Sequence, residues 1–334
     1  MGNFKINMED KIRWGIVAPG RIAHSFANDL KLVADGEVSA VASRSLERAE
    51  AFSKEYNVPH AFGSYEALFD CGEVDAVYIA TPHTSHAELA VKAMDKGKHV
   101  LCEKPMGLHR GDVEQMIAAA ERNQVFLMEA MWSRFNPAIR KAKQIVDGGE
   151  LGEIAYVHVD FGFYALDRDE KGRLLNPELA GGSLLDIGIY PIFLAYLMLG
   201  YPDKVLAASN FYKTGVEIQT SMIFQYAEAQ AILYSGLKSK AEMKAQISCS
   251  NGSVFLKPKW HEAQGYIVEH DGQLENFDLP TLGRGYAHEI IEVHECLKRC
   301  DRQSNLWSHK NSLDLMSLMD EVRRQTGIRF PMEA

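Results

Sequence analysis

The chain has 334 residues, 46% hydrophobic and 24% charged, a globular balance without disordered or collagen-like bias. That length exceeds what one hydrophobic core supports, so two domains of roughly 130 to 200 residues are expected. A net charge of −9 with no concentrated stripe of Lys and Arg argues against nucleic acid as a partner.

The opening decapeptide MGNFKINMED lacks an apolar stretch of signal-peptide length. The longest apolar run, YPIFLAYLMLGYP, falls short of a bilayer span, so a cytoplasmic protein without a membrane partner is expected. Five cysteines, Cys71, Cys102, Cys249, Cys296 and Cys300, form no disulfide framework and suit a reducing compartment. The spacing of HEC and Cys300 near residue 294 matches no common zinc pattern, so no metal is expected.

In the first third, short apolar runs alternate with helical stretches. RWGIVA precedes a helix from about Arg21, VSAVAS one from about Leu46, AVYIAT one from about Ser85, and HVLCEK one from about Arg110, before VFLMEA closes the series. Strict alternation predicts α/β architecture, a doubly wound parallel sheet of Rossmann type over residues 1–130. After Pro137 comes a helix through AIRKAKQIVDGG, ended by Gly148-Gly149, and then EIAYVHVDFGFY. SMIFQY, AQAILYSG, KAQISCS, GSVFLK and GYIVEHDG follow as successive antiparallel strands, with two closing helices near 285–300 and 310–326. Residues 131–334 are thus expected to form an α+β domain around a large, mainly antiparallel open sheet, whose uncovered face suits a homo-oligomer, a dimer or tetramer.

APGRIA, residues 18–23, stands between the first strand and the first helix, where a dinucleotide fold places G-x-G-x-x-G/A. Ala18 replaces the first glycine, while Gly20 and Ala23 keep the second and third positions, and the pyrophosphate would rest on the N–H groups of the helix opened by Arg21 and Ile22. At the end of the second strand the acid that binds a ribose hydroxyl is missing. Ser43, Arg44 and Ser45 stand there instead, and a guanidinium with hydroxyls suits a 2′-phosphate. NADP(H) is therefore expected over NAD(H), although NAD(H) remains possible.

IATPHTSH places Thr81, Pro82, His83 and His86, and LCEKPMG places Glu103 and Lys104, at strand ends facing the cofactor. Together with GGSLLDIGIYP and a following sheet domain, these motifs resemble the glucose-fructose oxidoreductase and inositol dehydrogenase family over most of the chain. MEAMWSRFNP at 128–137 and Tyr190, where many members carry histidine, are most similar to its branch of trans-1,2-dihydrodiol and NADP-dependent D-xylose dehydrogenases.

The resemblance implies a dehydrogenase or reductase acting on CH–OH groups of a small molecule: a sugar, polyol or cyclic diol. It also puts Lys104 beside both nicotinamide and substrate hydroxyl. An alcohol that loses hydride must lose a proton too, and Tyr190 fits as the acid/base group if Lys104 stabilises its phenolate. Asp186, one helical turn earlier, would bind substrate or orient Lys104, and Gly188 would leave room for nicotinamide or sugar. Trp132, Arg134 and Phe135, with Phe163 and Tyr286, are the expected substrate walls. Rival expectations are a non-catalytic NADP- or sugar-sensing regulator of the same fold, or an enzyme for a biliverdin-like ring or an amino-sugar nucleotide.

Overall fold

A computed structural model describes residues 11–333, and the decapeptide considered above lies outside them. Residues up to Phe135 together with Leu282–Leu313 form one compact unit, and Asn136–Thr281 with the residues from Asp314 onward form the other. The expected crossing near residue 130 therefore has a return: the helix read near 285–300 belongs with the first unit.

In the first unit, β1 (Ile12–Val17), α1 (Arg21–Leu30), β2 (Gly36–Ala42), α2 (Leu46–Tyr56), β3 (His60–Phe62), α3 (Tyr65–Phe69), β4 (Ala76–Ile79), α4 (His86–Asp95), β5 (His99–Glu103), α5 (Arg110–Asn123) and β6 (Leu127–Ala130) alternate along the chain. All six strands are parallel, in the order β3-β2-β1-β4-β5-β6. Their apolar runs are buried on both faces, as a sheet covered by helices on each side requires. Strand order reverses between β1 and β4, and ligands of such sheets bind beyond the carboxyl ends at that point.

The second unit holds α6 (Pro137–Asp147), β7 (Ile154–Gly162), α7 (Ile189–Leu199), β8 (Lys204–Phe211), β9 (Glu217–Gln225), β10 (Gln230–Gly236), β11 (Ala245–Cys249), β12 (Gly252–Leu256), β13 (Gly265–His270) and β14 (Gln273–Asp278). Then α8 (Tyr286–Lys298) lies in the first unit, and α9 (His309–Thr326) carries the chain back into the second. The eight strands run β14-β13-β12-β11-β7-β10-β9-β8. One pair departs from the antiparallel expectation: β10 is parallel to β7, because α7 and two strands intervene before the chain returns beside it. β8 and β14 were not among the predicted runs, since KVLAASNF and QLENFD leave most residues exposed and lack a clear apolar alternation.

The segment Pro177–Leu199 corrects a length expectation, being 23 residues long and apolar enough to cross a membrane by length and composition. It is instead 89% buried over its most apolar window, with α7 packed on β7 and β10 as the core of this unit.

Candidate active site

The turn after β1 is built for an incoming ligand. Ala18 takes φ +71°, the left-handed region where the dinucleotide motif uses glycine. Its N–H donates to the Ala42 carbonyl (3.0 Å) and its carbonyl accepts from Gly20 N–H (2.8 Å), which fixes the turn. A Cβ on Gly20 would meet nothing within 4 Å, so the space over the helix start is open.

Side chains cap three other helices of this unit: Ser45 for α2, Ser64 for α3 and His109 for α5. The first turn of α1, from Arg21 and Ile22, has neither a side-chain cap nor an acid, leaving its N–H groups to an anion. At the end of β2, Ser43 is buried and accepts from Ser45 N–H (3.2 Å), while Arg44 is exposed.

Across the reversal point, Thr81 is nearly buried, and among the described residues its hydroxyl has no hydrogen-bond partner. Pro82 is exposed and His83 half-buried in the short turn that follows. His86 is fully buried, so it serves behind this loop rather than on its surface. Its Nδ1 lies 2.8 Å from the Pro105 carbonyl and its Nε2 2.9 Å from that of Thr81, tying the loop after β4 to the turn after β5. Burial lowers its pKa, so a neutral ring donates to one carbonyl at a time.

Glu103 is buried, accepting from Tyr78 Oη and from the N–H of Lys104 (3.2 Å), and Lys104 is half-buried before a cis peptide bond to Pro105. Beside them on β6 stands Glu129, inside MEAMW, where no local motif marks it. It accepts from Met106 N–H (2.9 Å), Trp307 Nε1 (3.1 Å) and Ser312 Oγ (2.7 Å), and burial raises its pKa.

Trp132 is buried and stacks on Tyr286 at 4.8 Å, Phe135 is also buried, and Arg134 Nε donates to the Leu306 carbonyl (2.8 Å). Tyr286 opens α8, whose first N–H groups are held by Asp29 from α1. Its carboxylate accepts from residues 284 to 287 at 2.8 to 3.2 Å, which binds the returning segment into this unit. The HEC motif holds no ligand set: His294 Nε2 accepts from Trp14 Nε1 (2.9 Å) and its Nδ1 faces Asp35 (2.9 Å).

In the second unit, Leu184–Gly188 is a π-helical turn that runs into α7. Asp186 stands in this π turn and Tyr190 at the start of α7, four residues on. Asp186 is 8% exposed, and Arg173 grips both its oxygens, Nη1 to Oδ1 at 2.6 Å and Nη2 to Oδ2 at 3.2 Å. Arg173 was not foreseen, because it lies in an irregular segment with no motif around it. Tyr190 is 5% exposed and packs beside Phe161 (5.4 Å) and His261 (5.5 Å).

Gly188 does not leave room for a ligand, as had been expected. A Cβ there would come within 2.9 Å of Ser235 Oγ, so a serine fills the gap. Gly181 and Gly182 stand in the turn that leads into this segment, Gly182 at φ +127°. Phe163 is half-buried with the Arg168 guanidinium 5.0 Å over its ring.

Open donors over Gly20 and the unsatisfied Thr81 hydroxyl fit a dinucleotide at the reversal point, with Lys104 at a neighbouring strand end. The class defined is a nicotinamide-dependent oxidoreductase with a separate second unit. The chain belongs to the oxidoreductase family with an NAD-binding Rossmann fold, which residues 12–131 match, while residues 139–255 match the GFO/IDH/MocA C-terminal domain.

Trans-1,2-dihydrobenzene-1,2-diol dehydrogenase of Mus musculus is 33% identical, with 96% of this chain and 99% of the relative covered. The Homo sapiens enzyme of that name is 32% identical over the same shares. A 3-ketoreductase from Actinomadura kijaniata, solved with NADP and TDP-benzene, aligns at TM-score 0.86 and 27% identity, covering 95% of this chain and 98% of its own. An aldose-aldose oxidoreductase from Caulobacter crescentus, solved with glycerol, aligns at TM-score 0.87 and 25% identity over the same shares. The chain is an NAD(P)-dependent oxidoreductase.

Proposed function

We propose that the chain is an NADP-preferring dehydrogenase that passes hydride between nicotinamide and a hydroxyl-bearing carbon of a sugar, polyol or cyclic trans-diol. The observation that carries the cofactor choice is the end of β2, where the exposed Arg44 and the hydroxyls of Ser43 and Ser45 replace a carboxylate. A phosphate meets donors there rather than repulsion. NADP in the Actinomadura ketoreductase supports the same choice, and the diol in the name of the mouse relative supports the substrate class.

The bound cofactor supplies hydride acceptance and donation; the chain supplies everything else. In this reading, the Ala18–Gly20 turn and the start of α1 receive the pyrophosphate, and Thr81 gives its spare hydroxyl to the nucleotide. Tyr190 Oη takes the substrate hydroxyl proton as hydride leaves and returns it in the reverse direction. An unperturbed phenol titrates near pH ~10, so Lys104 serves as the cation that favours the phenolate. Asp186, already held by Arg173, fixes a substrate hydroxyl. Arg134 and Phe163 are partly open and suit the substrate wall, whereas Trp132, Phe135 and Tyr286 are buried. The setting is cytoplasmic, supported by five free thiols. The working form is a homodimer or larger assembly through the open sheet face.

The test is fluorescence titration with NADPH and NADH, then turnover on trans-1,2-dihydrobenzene-1,2-diol and pentoses. NADPH should bind more tightly, and Arg44→Ala should weaken NADPH about ten-fold or more while sparing NADH. Tyr190→Phe and Lys104→Ala should each lose about 100-fold or more in kcat, with NADPH affinity kept in Tyr190→Phe. Equal affinity for both nucleotides, unchanged by Arg44→Ala, would remove the cofactor preference.

A further inference from the structure

We propose that Glu217 is a positioning residue for Asp186 and Tyr190: its buried carboxyl gathers the donors at the start of the π-helical turn and so sets where that turn points both side chains. The proposal rests on the reading that Tyr190 serves the reaction.

Glu217 begins β9, is 2% exposed, and lies more than 30 residues from the turn it holds. Its Oε1 accepts from Ser183 Oγ and from Thr220 Oγ1 (3.0 Å), and the backbone N–H groups of Ser183 and Leu184 favour its charged form. A π turn leaves its first N–H groups without partners, and Ser183 does not cap it with its own side chain. Glu217 supplies the missing acceptor from another element.

The hold reaches the far end of the turn as well. Ser183 Oγ is 2.9 Å from Ser235 Oγ, and Ser235 Oγ occupies the space that a side chain on Gly188 would need. Gly182 is required for the same reason, since a Cβ at its φ of +127° would strike Glu217 Oε2. Glu217, Ser183 and Ser235 therefore bracket residues 183 to 188, and Tyr190 follows two positions on.

The groups facing Glu217 are the hydroxyls of Ser183 and Thr220 and two N–H groups, with Ser209 Oγ 2.8 Å behind Thr220. Burial pushes its pKa up to about 7 against those donors. Above that pH the carboxylate can accept from all four. Below it, one oxygen carries a proton and donates instead of accepting, which re-aims the start of the turn. Stability has the opposite sign. A folded pKa raised from 4.5 contributes stability that is full below 4.5 and lost as pH rises through about 7. The chain should therefore be less heat-stable yet more active just above neutrality.

The experiment compares full-length wild type, Glu217→Gln, Glu217→Asp and Tyr190→Phe. It reads hydrogen exchange of the peptide spanning 183–190, and kcat and KM from pH 5.5 to 9 with NADP and trans-1,2-dihydrobenzene-1,2-diol. In Glu217→Gln the amide NH2 must face a donor, so exchange at 183–190 should rise about five-fold or more. In the same variant kcat should fall about ten-fold or more with KM for NADP within two-fold, and the activity limb near pH 7 should vanish. Glu217→Asp should recover part of kcat.

Wild-type exchange and kcat in Glu217→Gln, alongside an inactive Tyr190→Phe, would overturn this proposal alone. A fully active Tyr190→Phe would overturn the catalytic reading and this proposal with it. Should Glu217→Gln fail to fold, exchange of wild-type 183–190, corrected for intrinsic pH dependence, decides. Protection that falls as pH rises through about 7, the sign that linkage gives a carboxyl buried in the held turn, supports the proposal, and a flat or rising profile overturns it.

Discussion

Ala18 holds φ +71°, a conformation that costs an L-residue roughly 1–2 kcal/mol and that glycine adopts freely. Glycine would lose roughly 0.5–1 kcal/mol through the entropy of the unfolded chain, so the two effects nearly cancel. Ala18→Gly should therefore melt within a few degrees of wild type and bind NADPH as well. Ala18→Val adds a β-branched side chain at positive φ and should lose about 2 kcal/mol or more, with weaker NADPH binding. Thermal melts and nucleotide titration check both; a wild-type-like valine variant would mean that the turn carries no strain. APGRIA, EKP and GGSLLDIGIYP were legible in the sequence because the residues that make each turn are neighbours. Asp29, Glu129, Arg173 and Glu217 were not, because each acts on groups between 13 and 258 residues away and no local pattern marks the pairing.

The element most exposed to mispairing is β8, at one end of the eight-stranded sheet. An open edge presents unpaired N–H and C=O groups that invite another chain. Gln325, near the end of α9, answers them with its amide: Oε1 accepts from Ala207 N–H (2.9 Å) and Nε2 donates to the Val205 carbonyl (2.7 Å). One side chain thus reproduces a rung of sheet pairing. Gln325→Ala should cost about 1–3 kcal/mol, since it orphans a donor and an acceptor together, and should raise aggregation on heating. Calorimetry with light scattering reads both, and an unchanged melting curve would show that water satisfies the edge. At this scale the parallel strands were readable from continuous apolar runs. The edge strands were not, because β8 is held by pairing with β9 and by Gln325, and β14 by pairing with β13, rather than by burial of their own residues.

At the scale of the whole molecule, the homo-oligomer proposed above is expected to form through the uncovered face of the second sheet. In register across neighbouring strands lie Ile267, Phe255, Gln246, His158, Ile232, Ile223 and Leu206, a largely apolar row flanked by polar ones. Leu206, Ile223 and Ile232 are 41%, 38% and 41% exposed, which is unusual for three large aliphatic side chains in mutual contact on sheet neighbours. Toward β12 the same face carries a hollow of about 640 Å³ lined by His158, Asp160, Tyr234, Lys244, Phe255 and Ile267, where polar and charged groups surround the apolar ones. A second copy of the chain is the expected occupant, because a two-fold axis over the row would set aliphatic against aliphatic and leave the polar flanks at the rim. A standard interface buries about 800 Å² per partner, an area within reach of an eight-stranded face. Ile223→Lys with Ile232→Lys places two ammonium groups on adjacent strands and, across the axis, four in one patch. Sedimentation velocity at micromolar concentration should then show a dimer or tetramer for wild type and a monomer for the double variant, with NADPH affinity unchanged because the nucleotide turn lies in the other unit. A wild-type monomer would end the proposal. A dimer that survives both lysines would move the interface to another face and leave this row to a different partner.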